Sequence, residues 1–242
     1  MRLKTIQNNR IFFFILLIYW LFMGIMLVLF GYNGSFLLIN GLHQPLLDMP
    51  MFLMTHLGDA LILTSILALI LSGKNPALVF YIIVMVIITG LFGQLLKNTV
   101  FDSFDRPLKV FEGMDLVHTV AGYKMYHNSF PSGHSIVAAA AITSMVAVLN
   151  PNKYIEIVAA LSIVIISYTR IYVGVHFPGD VLLGSLIGTI GAIGFIRPIY
   201  LPLARWANAF SAQKRTRTTY LLWIIASISI LTGIYLIYIY IG

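Results

Sequence analysis

The sequence predicts an all-α protein, a polytopic bundle of membrane-spanning helices, and three observations support this fold class. Of the 242 residues, 60% are hydrophobic and only 10% are charged, whereas a soluble domain carries about 25% charged residues. The apolar residues fall into runs near the length of about 20 residues that crosses a bilayer. Basic residues lie between these runs, in the manner that sets membrane orientation. We therefore expect a single membrane domain over residues 1–242.

Seven candidate spans follow one another along the chain. They are Ile11–Gly31, Phe52–Ser72, Ala77–Leu96, Gly133–Leu149, Tyr154–Thr169, Val181–Leu201 and Tyr220–Ile241. The first run is too long for the apolar part of a signal peptide and no small-residue cleavage site follows it, so we interpret it as a retained helix. Helix-breaking residues at 73–76 and 150–153 predict tight hairpins between neighbouring spans. Residues 97–131 form a long polar loop, a feature that is uncommon unless it is functional or disordered.

The distribution of basic residues predicts a cytoplasmic N-terminus. On that side lie Arg2, Lys4, Arg10, Lys74, Lys153, Arg197, Arg205, Lys214, Arg215 and Arg217, and on the other side lie Lys97, Arg106, Lys109, Lys124 and Arg170. The excess of Lys and Arg marks the cytoplasmic face. Because the net charge of +7 follows this pattern, it argues against nucleic-acid binding. The absence of cysteine excludes disulfides, thiolate metal sites and cysteine nucleophiles.

Polar residues suited to phosphate chemistry gather at the outer ends of the spans. They are Lys97, Arg106, Ser132, Gly133, His134, Arg170, His176 and Asp180. Charged side chains are costly in hydrocarbon, so their concentration at one face needs an explanation. Cationic side chains bind the non-bridging oxygens of a phosphate, and arginine does so in bidentate fashion. Ser132 resembles an N-cap, so free backbone N–H groups near Gly133 and His134 would point at an anion.

Two histidines and a carboxylate supply the remaining chemistry. Asp180 follows His176 by four residues, so its carboxylate can accept the imidazole N–H and leave the other nitrogen free to attack phosphorus. His134 can then protonate the leaving oxygen. His56 and Asp59 begin the second span on the same face, and both a helix-start role and a place at the site entrance remain open for them.

The three motifs Lys97-x8-Arg106-Pro107, Pro131-Ser132-Gly133-His134 and Arg170-x5-His176-x3-Asp180 together resemble a known signature. It is that of the type 2 phosphatidic acid phosphatase and vanadium haloperoxidase superfamily, in its integral-membrane lipid phosphatase branch. The resemblance covers roughly residues 50–200. It implies that His176 is the nucleophile, Asp180 its partner and His134 the general acid. It also implies phosphate binding by Lys97, Arg106, Ser132, Gly133 and Arg170, a six-helix core, and no metal or other cofactor.

The chain departs from the family pattern at three points. The common first motif has six residues between its lysine and arginine, whereas eight separate Lys97 from Arg106. Thr169 stands where the family usually has serine before Arg170. The predicted span at 220–241 lies outside the six-helix core.

The resemblance predicts a metal-independent lipid phosphatase that works through a phosphohistidine at the outer face, in a bacterial inner membrane. Candidate substrates are an isoprenoid diphosphate, phosphatidate or phosphatidylglycerol phosphate, and lipid A phosphate. No nucleic acid and no obligate protein partner are implied. Lipid-to-lipid phosphotransfer through the same site remains an alternative, as do vanadium-dependent halide oxidation, a silent lipid-binding protein and a transporter. A transporter would be expected to show repeated halves or ionisable residues in mid-span, and we see neither.

Overall fold

The computed structural model describes the backbone of residues 2–241 and the side chains of residues 5–239. Within this range all regular structure is helical. The helices are α1 Arg2–Asn8, α2 Arg10–Asn40, α3 Pro45–Thr55, α4 Ala60–Leu71, α5 Pro76–Thr99, α6 Pro107–Val110, α7 Gly133–Leu149, α8 Lys153–Tyr172, α9 Pro178–Gly194, α10 Leu201–Asn208 and α11 Ala212–Ile241. A 3₁₀ turn, His56–Gly58, joins α3 to α4, and a π-helical segment, Ile196–Tyr200, joins α9 to α10. The side chains of Arg2 and Lys4, used above to predict orientation, lie outside the described residues.

Seven helical units occupy the positions of the seven predicted spans. Helices α2, α5, α8 and α11 are each long and apolar enough to cross a membrane alone. The pair α3 and α4 is bent by 73°, and α9 is bent by 47° against the segment 196–208, so each pair is a broken span or a re-entrant loop. The seventh unit is α7, a shorter apolar helix. The prediction of an all-α membrane bundle is confirmed.

Predicted boundaries were wrong in three of the spans, each for a local reason. The first span does not end at Gly31 but bends there, where the backbone has φ 69°, and continues to Asn40. The second span begins at Pro45 rather than Phe52 and is broken before Asp59, whose carboxylate caps α4 by accepting the N–H groups of Leu61 and Ile62. The sixth span begins at Pro178, a favourable first-turn residue, and its straight part ends at Gly194 rather than Leu201.

Capping residues begin the helices that carry the site. Asn75 and Asn152 accept backbone N–H groups at the starts of α5 and α8, and Ser132 does so for α7. Such caps satisfy donors that the first helical turn leaves free. Asn150 has the left-handed φ of 45° that ends α7. The polar connections therefore fix where each apolar helix starts and stops.

Small residues bring α7 and α9 into close contact. A Cβ atom on Gly188 would lie 2.4 Å from the Ile136 carbonyl oxygen, and one on Gly184 would lie 2.6 Å from the Ser132 carbonyl oxygen. The alanines of α7 at 138–141 are all buried, and Ala139 and Ala140 are the ones that meet Gly188. Small residues allow helix backbones to approach in membranes, where packing drives association. This contact holds the N-terminus of α7 beside the first turn of α9.

We expect Gly188→Ala to destabilise the protein by about 1–3 kcal/mol, the usual cost of overpacking. The new methyl group would meet backbone atoms of α7, which cannot move aside as a flexible side chain would. Thermal unfolding of the detergent-solubilised protein measures the effect. Gly90→Ala in α5 is the matched control, because nothing lies within 4 Å of a Cβ there. Equal melting temperatures for the two variants would contradict the close contact of α7 and α9.

Candidate active site

A buried histidine–aspartate pair lies at the centre of the polar cluster. His176 lies in the short turn between α8 and α9, and Asp180 lies in the first turn of α9. His176 Nδ1 is 2.9 Å from Asp180 Oδ2, and the two side chains are 3% and 0% exposed. With the carboxylate accepting from Nδ1, the tautomer assigned to His176 has its lone pair on Nε2. That nitrogen is therefore available as a nucleophile.

Three further donors hold the Asp180 carboxylate. The hydroxyl of Tyr32 donates to Oδ1, and the hydroxyl of Ser129 donates to Oδ2. The backbone N–H of Phe177 also donates to Oδ2, at 3.0 Å. A buried carboxylate is costly unless its oxygens are hydrogen-bonded, and these donors meet that requirement. They also fix the direction from which Asp180 contacts His176.

Backbone carbonyls of the long loop and of the His176 turn position Arg106. Its Nε donates to the His127 oxygen at 2.8 Å, and its terminal nitrogens donate to the Val175 oxygen at 3.1 Å and the Asn128 oxygen at 3.2 Å. One terminal nitrogen lies 3.4 Å from His176 Nε2. The guanidinium is thus fixed next to the reactive nitrogen of the histidine.

Arg170 and Lys97 bring two more buried cations to the cluster. Arg170 donates to the Thr55 hydroxyl at 2.6 Å and lies over the Tyr123 ring, while its buried Nε has no hydrogen-bond partner in the described part of the chain. Lys97, in the last turn of α5, is 7% exposed and interacts electrostatically with Arg106 and Arg170. Buried donors are nearly always paired in native structures, so the free Nε indicates a place for an anionic ligand.

The N-terminus of α7 forms the remaining wall. Ser132 donates its backbone N–H to the Asp180 carbonyl at 3.0 Å, which joins this helix start to α9. A Cβ on Gly133 would meet open space, so the backbone here is accessible to a ligand. His134 interacts electrostatically with Arg170, His56, Arg106 and Lys97. Helix N-termini with accessible N–H groups favour anions.

The structure brings all eight predicted site residues into one cluster, although eight residues separate Lys97 from Arg106. Sequence reasoning missed three side chains that hold the cluster together, namely Tyr32, Ser129 and Thr55. Ser129 is close to the second motif and could have been suspected from that position. Nothing in the sequence around Tyr32 or Thr55 indicated such contacts. The chemical roles of the eight residues stay predictions.

The long loop at 97–131 contributes Arg106 and Ser129 to this cluster. Burial, followed by the nearby charges of Arg106, Arg170 and Lys97, lowers the pKa of His176 well below its usual value. The imidazole is therefore neutral near neutral pH, which is the form that can attack phosphorus.

Comparison with known proteins places these residues in a family. The family model of the PAP2 superfamily matches residues 78–200, a range that contains all eight predicted site residues. This chain belongs to the PAP2 superfamily. The lipid A 4'-phosphatase of Porphyromonas gingivalis is 30% identical over 73% of this chain and 76% of that protein. The undecaprenyl-diphosphatase of Sulfolobus acidocaldarius is 26% identical over 75% of this chain and 88% of that protein.

A solved PAP2 structure supports the same assignment. The crystal structure of Aquifex aeolicus LpxE is 30% identical in sequence and superposes with a TM-score of 0.60, covering 69% of this chain and 94% of that chain. Together with the apolar helices, this likeness identifies the PAP2 chain described here as a multi-pass membrane protein. Its resemblance to the superfamily, predicted from the three motifs, is confirmed.

Proposed function

We propose that this protein is a membrane lipid phosphatase that transfers the phosphoryl group of its substrate to His176 and then to water. The observation that carries the proposal is the buried His176–Asp180 pair, whose free Nε2 lies 3.4 Å from Arg106. Relatives named for the removal of phosphate from lipid A and from undecaprenyl diphosphate support the same reaction class. A lipid phosphate is therefore the proposed substrate.

The cations would hold the phosphate in line with the histidine. Arg106, Arg170 and Lys97 would bind the non-bridging oxygens, and the free Nε of Arg170 is a ready donor. The accessible backbone at Gly133 and the Ser132 cap would add N–H donors. Phosphoryl transfer depends mainly on positioning and on charge stabilisation, so a dry site with fixed donors is well suited to it.

The reaction would proceed in two displacements. His176 Nε2 attacks phosphorus, the bond between phosphorus and the leaving oxygen breaks, and His134 gives its proton to that oxygen. Water then attacks the phosphohistidine, His134 takes a proton from the water, and the bond between phosphorus and Nε2 breaks to release inorganic phosphate. Asp180 holds the Nδ1 proton throughout and stabilises the positive charge on the ring. Neither displacement changes an oxidation state.

The orientation of the site is also part of the proposal. The excess of basic residues on the N-terminal side supports a cytoplasmic N-terminus, which places the ends of α5 and α8 that carry Lys97 and Arg170 at the outer face. A bacterial inner membrane, with the site facing the periplasm, agrees with the bacterial lipid A phosphatases among the relatives. Impermeant labelling of cysteines introduced at Lys109 and Lys153, which lie on opposite predicted sides of this cysteine-free chain, tests the orientation.

Phosphate release from a panel of lipids in detergent tests the proposed activity. The panel comprises lipid A, undecaprenyl diphosphate, phosphatidate and phosphatidylglycerol phosphate, each assayed with and without chelator. We expect release that survives chelation and falls strongly in Arg170→Gln. The absence of release from every lipid by a folded protein would refute the hydrolase, and products carrying phosphate on a second lipid would point to phosphotransfer.

The lowered pKa of His176 predicts an acid-tolerant first step. The neutral imidazole is the nucleophile, so the acidic limb of phosphorylation should appear only as the pH falls through the lowered pKa, below the ordinary value of about 6.5, whereas loss of the His134 proton sets the alkaline limb. Single-turnover formation of the phosphoenzyme at different pH values measures this limb. The ionisation of the substrate phosphate, followed separately by phosphorus NMR, serves as the control. A midpoint at or above about 6.5 that does not follow the substrate would contradict the prediction.

A further inference from the structure

A small cavity connects the proposed general acid to the C-terminal helix. Its volume is about 180 Å³. His56, Asp59, Tyr123 and His134 line its polar side, and Gly233, Leu236 and Ile237 of α11 line its apolar side. The cavity therefore lies between the PAP2 site and a helix that is outside the matched range 78–200.

Helix α11 is held against α4 by specific contacts. Thr219 donates to the Ser72 carbonyl at 3.2 Å, and the Trp223 indole donates to the Leu69 carbonyl at 3.1 Å. Further along, Gly233 allows α11 to approach α4 closely, because a Cβ atom on residue 233 would lie 2.9 Å from Ile62 Cγ1. These contacts fix the register that places Leu236 and Ile237 at the cavity.

We infer that this cavity binds the leaving alcohol of the substrate and that α11 thereby determines which lipid phosphates are accepted. The inference rests on the proposed function. A group that protonates the leaving oxygen must lie next to it, so the part of the lipid that follows the scissile bond lies beside His134. The cavity is on that side of the site. Its volume is below the range of about 300–1,000 Å³ typical of pockets for whole drug-sized ligands, so it receives only the segment nearest the phosphate.

His56 indicates the chemistry of that segment. Its Nε2 is buried and has no hydrogen-bond partner among the described residues, and buried polar atoms usually have one. An oxygen near the scissile bond, such as a sugar or glycerol hydroxyl or the oxygen of a second phosphate, would provide that partner. Beyond it, the chain of the lipid would leave along the exposed apolar face of α11, where Leu236 is 53% exposed.

Narrowing the cavity tests the inference on the lipid that the wild-type protein cleaves best. Ile237→Trp places a larger side chain at the cavity, and Ile234→Trp makes the same change at an exposed residue of α11 that does not line it. We expect kcat/KM to fall by about tenfold or more in Ile237→Trp, within the range by which pocket fit discriminates substrates, and to stay unchanged in Ile234→Trp. The inhibition constant of inorganic vanadate, a phosphate mimic that lacks the alcohol, should stay unchanged in both. An equal kcat/KM for the two variants, or weaker vanadate binding in Ile237→Trp, would overturn the inference.

A cysteine at the same position tests the inference without added bulk. Because the chain has no cysteine, Ile237→Cys carries a single thiol whose reaction with a small maleimide can be followed by mass. A non-hydrolysable phosphonate analogue of the preferred lipid should slow this reaction, whereas vanadate alone should not, and neither should affect Ile234→Cys. If the phosphonate inhibits the protein but fails to protect Ile237→Cys, the subsite is wrong while the hydrolase stands. If the wild type cleaves no lipid, the proposed function fails first.

Discussion

His176→Ala should abolish phosphate release, with a fall in kcat of about four orders of magnitude or more, the scale seen when a nucleophile is removed. The substitution removes Nε2, the protein atom that the proposed mechanism bonds to phosphorus. Brief reaction with a lipid labelled with ³²P in its phosphate, followed by denaturation at alkaline pH, should trap an acid-labile phosphohistidine in the wild type. The variant should contain no label.

His127, on the long loop, provides the matched control. The His127 side chain is 66% exposed and pairs with Asp105, and the backbone oxygen of His127 accepts from Arg106, so His127→Ala keeps that hydrogen bond and should retain activity and label. A labelled His176→Ala protein, or a labelled peptide that does not contain residue 176, would show that another group is phosphorylated. Loss of activity in both variants would instead indicate disturbance of the loop.

Asp180→Asn should lower kcat by about 10³ to 10⁴, comparable to the loss when the aspartate of a serine protease triad becomes asparagine. The amide keeps the size of the side chain but cannot accept all four of the donors that surround Asp180. Whichever way the amide turns, the negative charge that orients His176 and stabilises the positive ring formed on attack is lost. Phosphate should still bind, so the inhibition constant of vanadate should change much less than kcat.

Glu156→Gln makes the same acid-to-amide change at a distance from the site. Glu156 is buried in the first turn of α8, and its carboxylate accepts the Phe12 N–H at 3.0 Å. We expect this variant to melt at a lower temperature but to keep its kcat. If kcat fell equally in the two variants, the effect of Asp180→Asn would reflect general destabilisation and not the orientation of His176.

The residues of the buried polar cluster were easier to find from the sequence than the bends of the helices. The segment from Phe52 to Ser72 is apolar overall although His56 and Asp59 lie within it, so hydropathy suggested one span where the chain actually breaks at residues 56–59. A signal was present, because Asp59 before an apolar run is a typical N-cap. At Gly31 the run of apolar residues had reached the length of a span, and the continuation of the helix after the bend depends on packing that no local pattern records.

The spacing of the first motif illustrates a different limit. Eight residues instead of six between Lys97 and Arg106 made the first motif the least regular of the three. In the structure, α5 continues to Thr99 and the chain returns so that the Arg106 N–H donates to the Tyr126 oxygen at 2.8 Å. The additional residues are accommodated in the loop, and Lys97 still lies in the cluster. The partners of Asp180 were harder to predict, because Tyr32 is 148 residues away in sequence.

That distant tyrosine couples the assembly of the bundle to its chemistry. Tyr32 belongs to α2, so the carboxylate environment is completed only when the N-terminal helix has docked against α9. A fragment beginning at residue 45 would carry every residue of the three motifs and still lack one donor to Asp180. Separate expression of residues 1–44 and 45–242 should therefore give two inactive pieces whose activity returns on association. Enzyme turnover measured in cells would then report when α2 has docked against the helices that follow it in the chain.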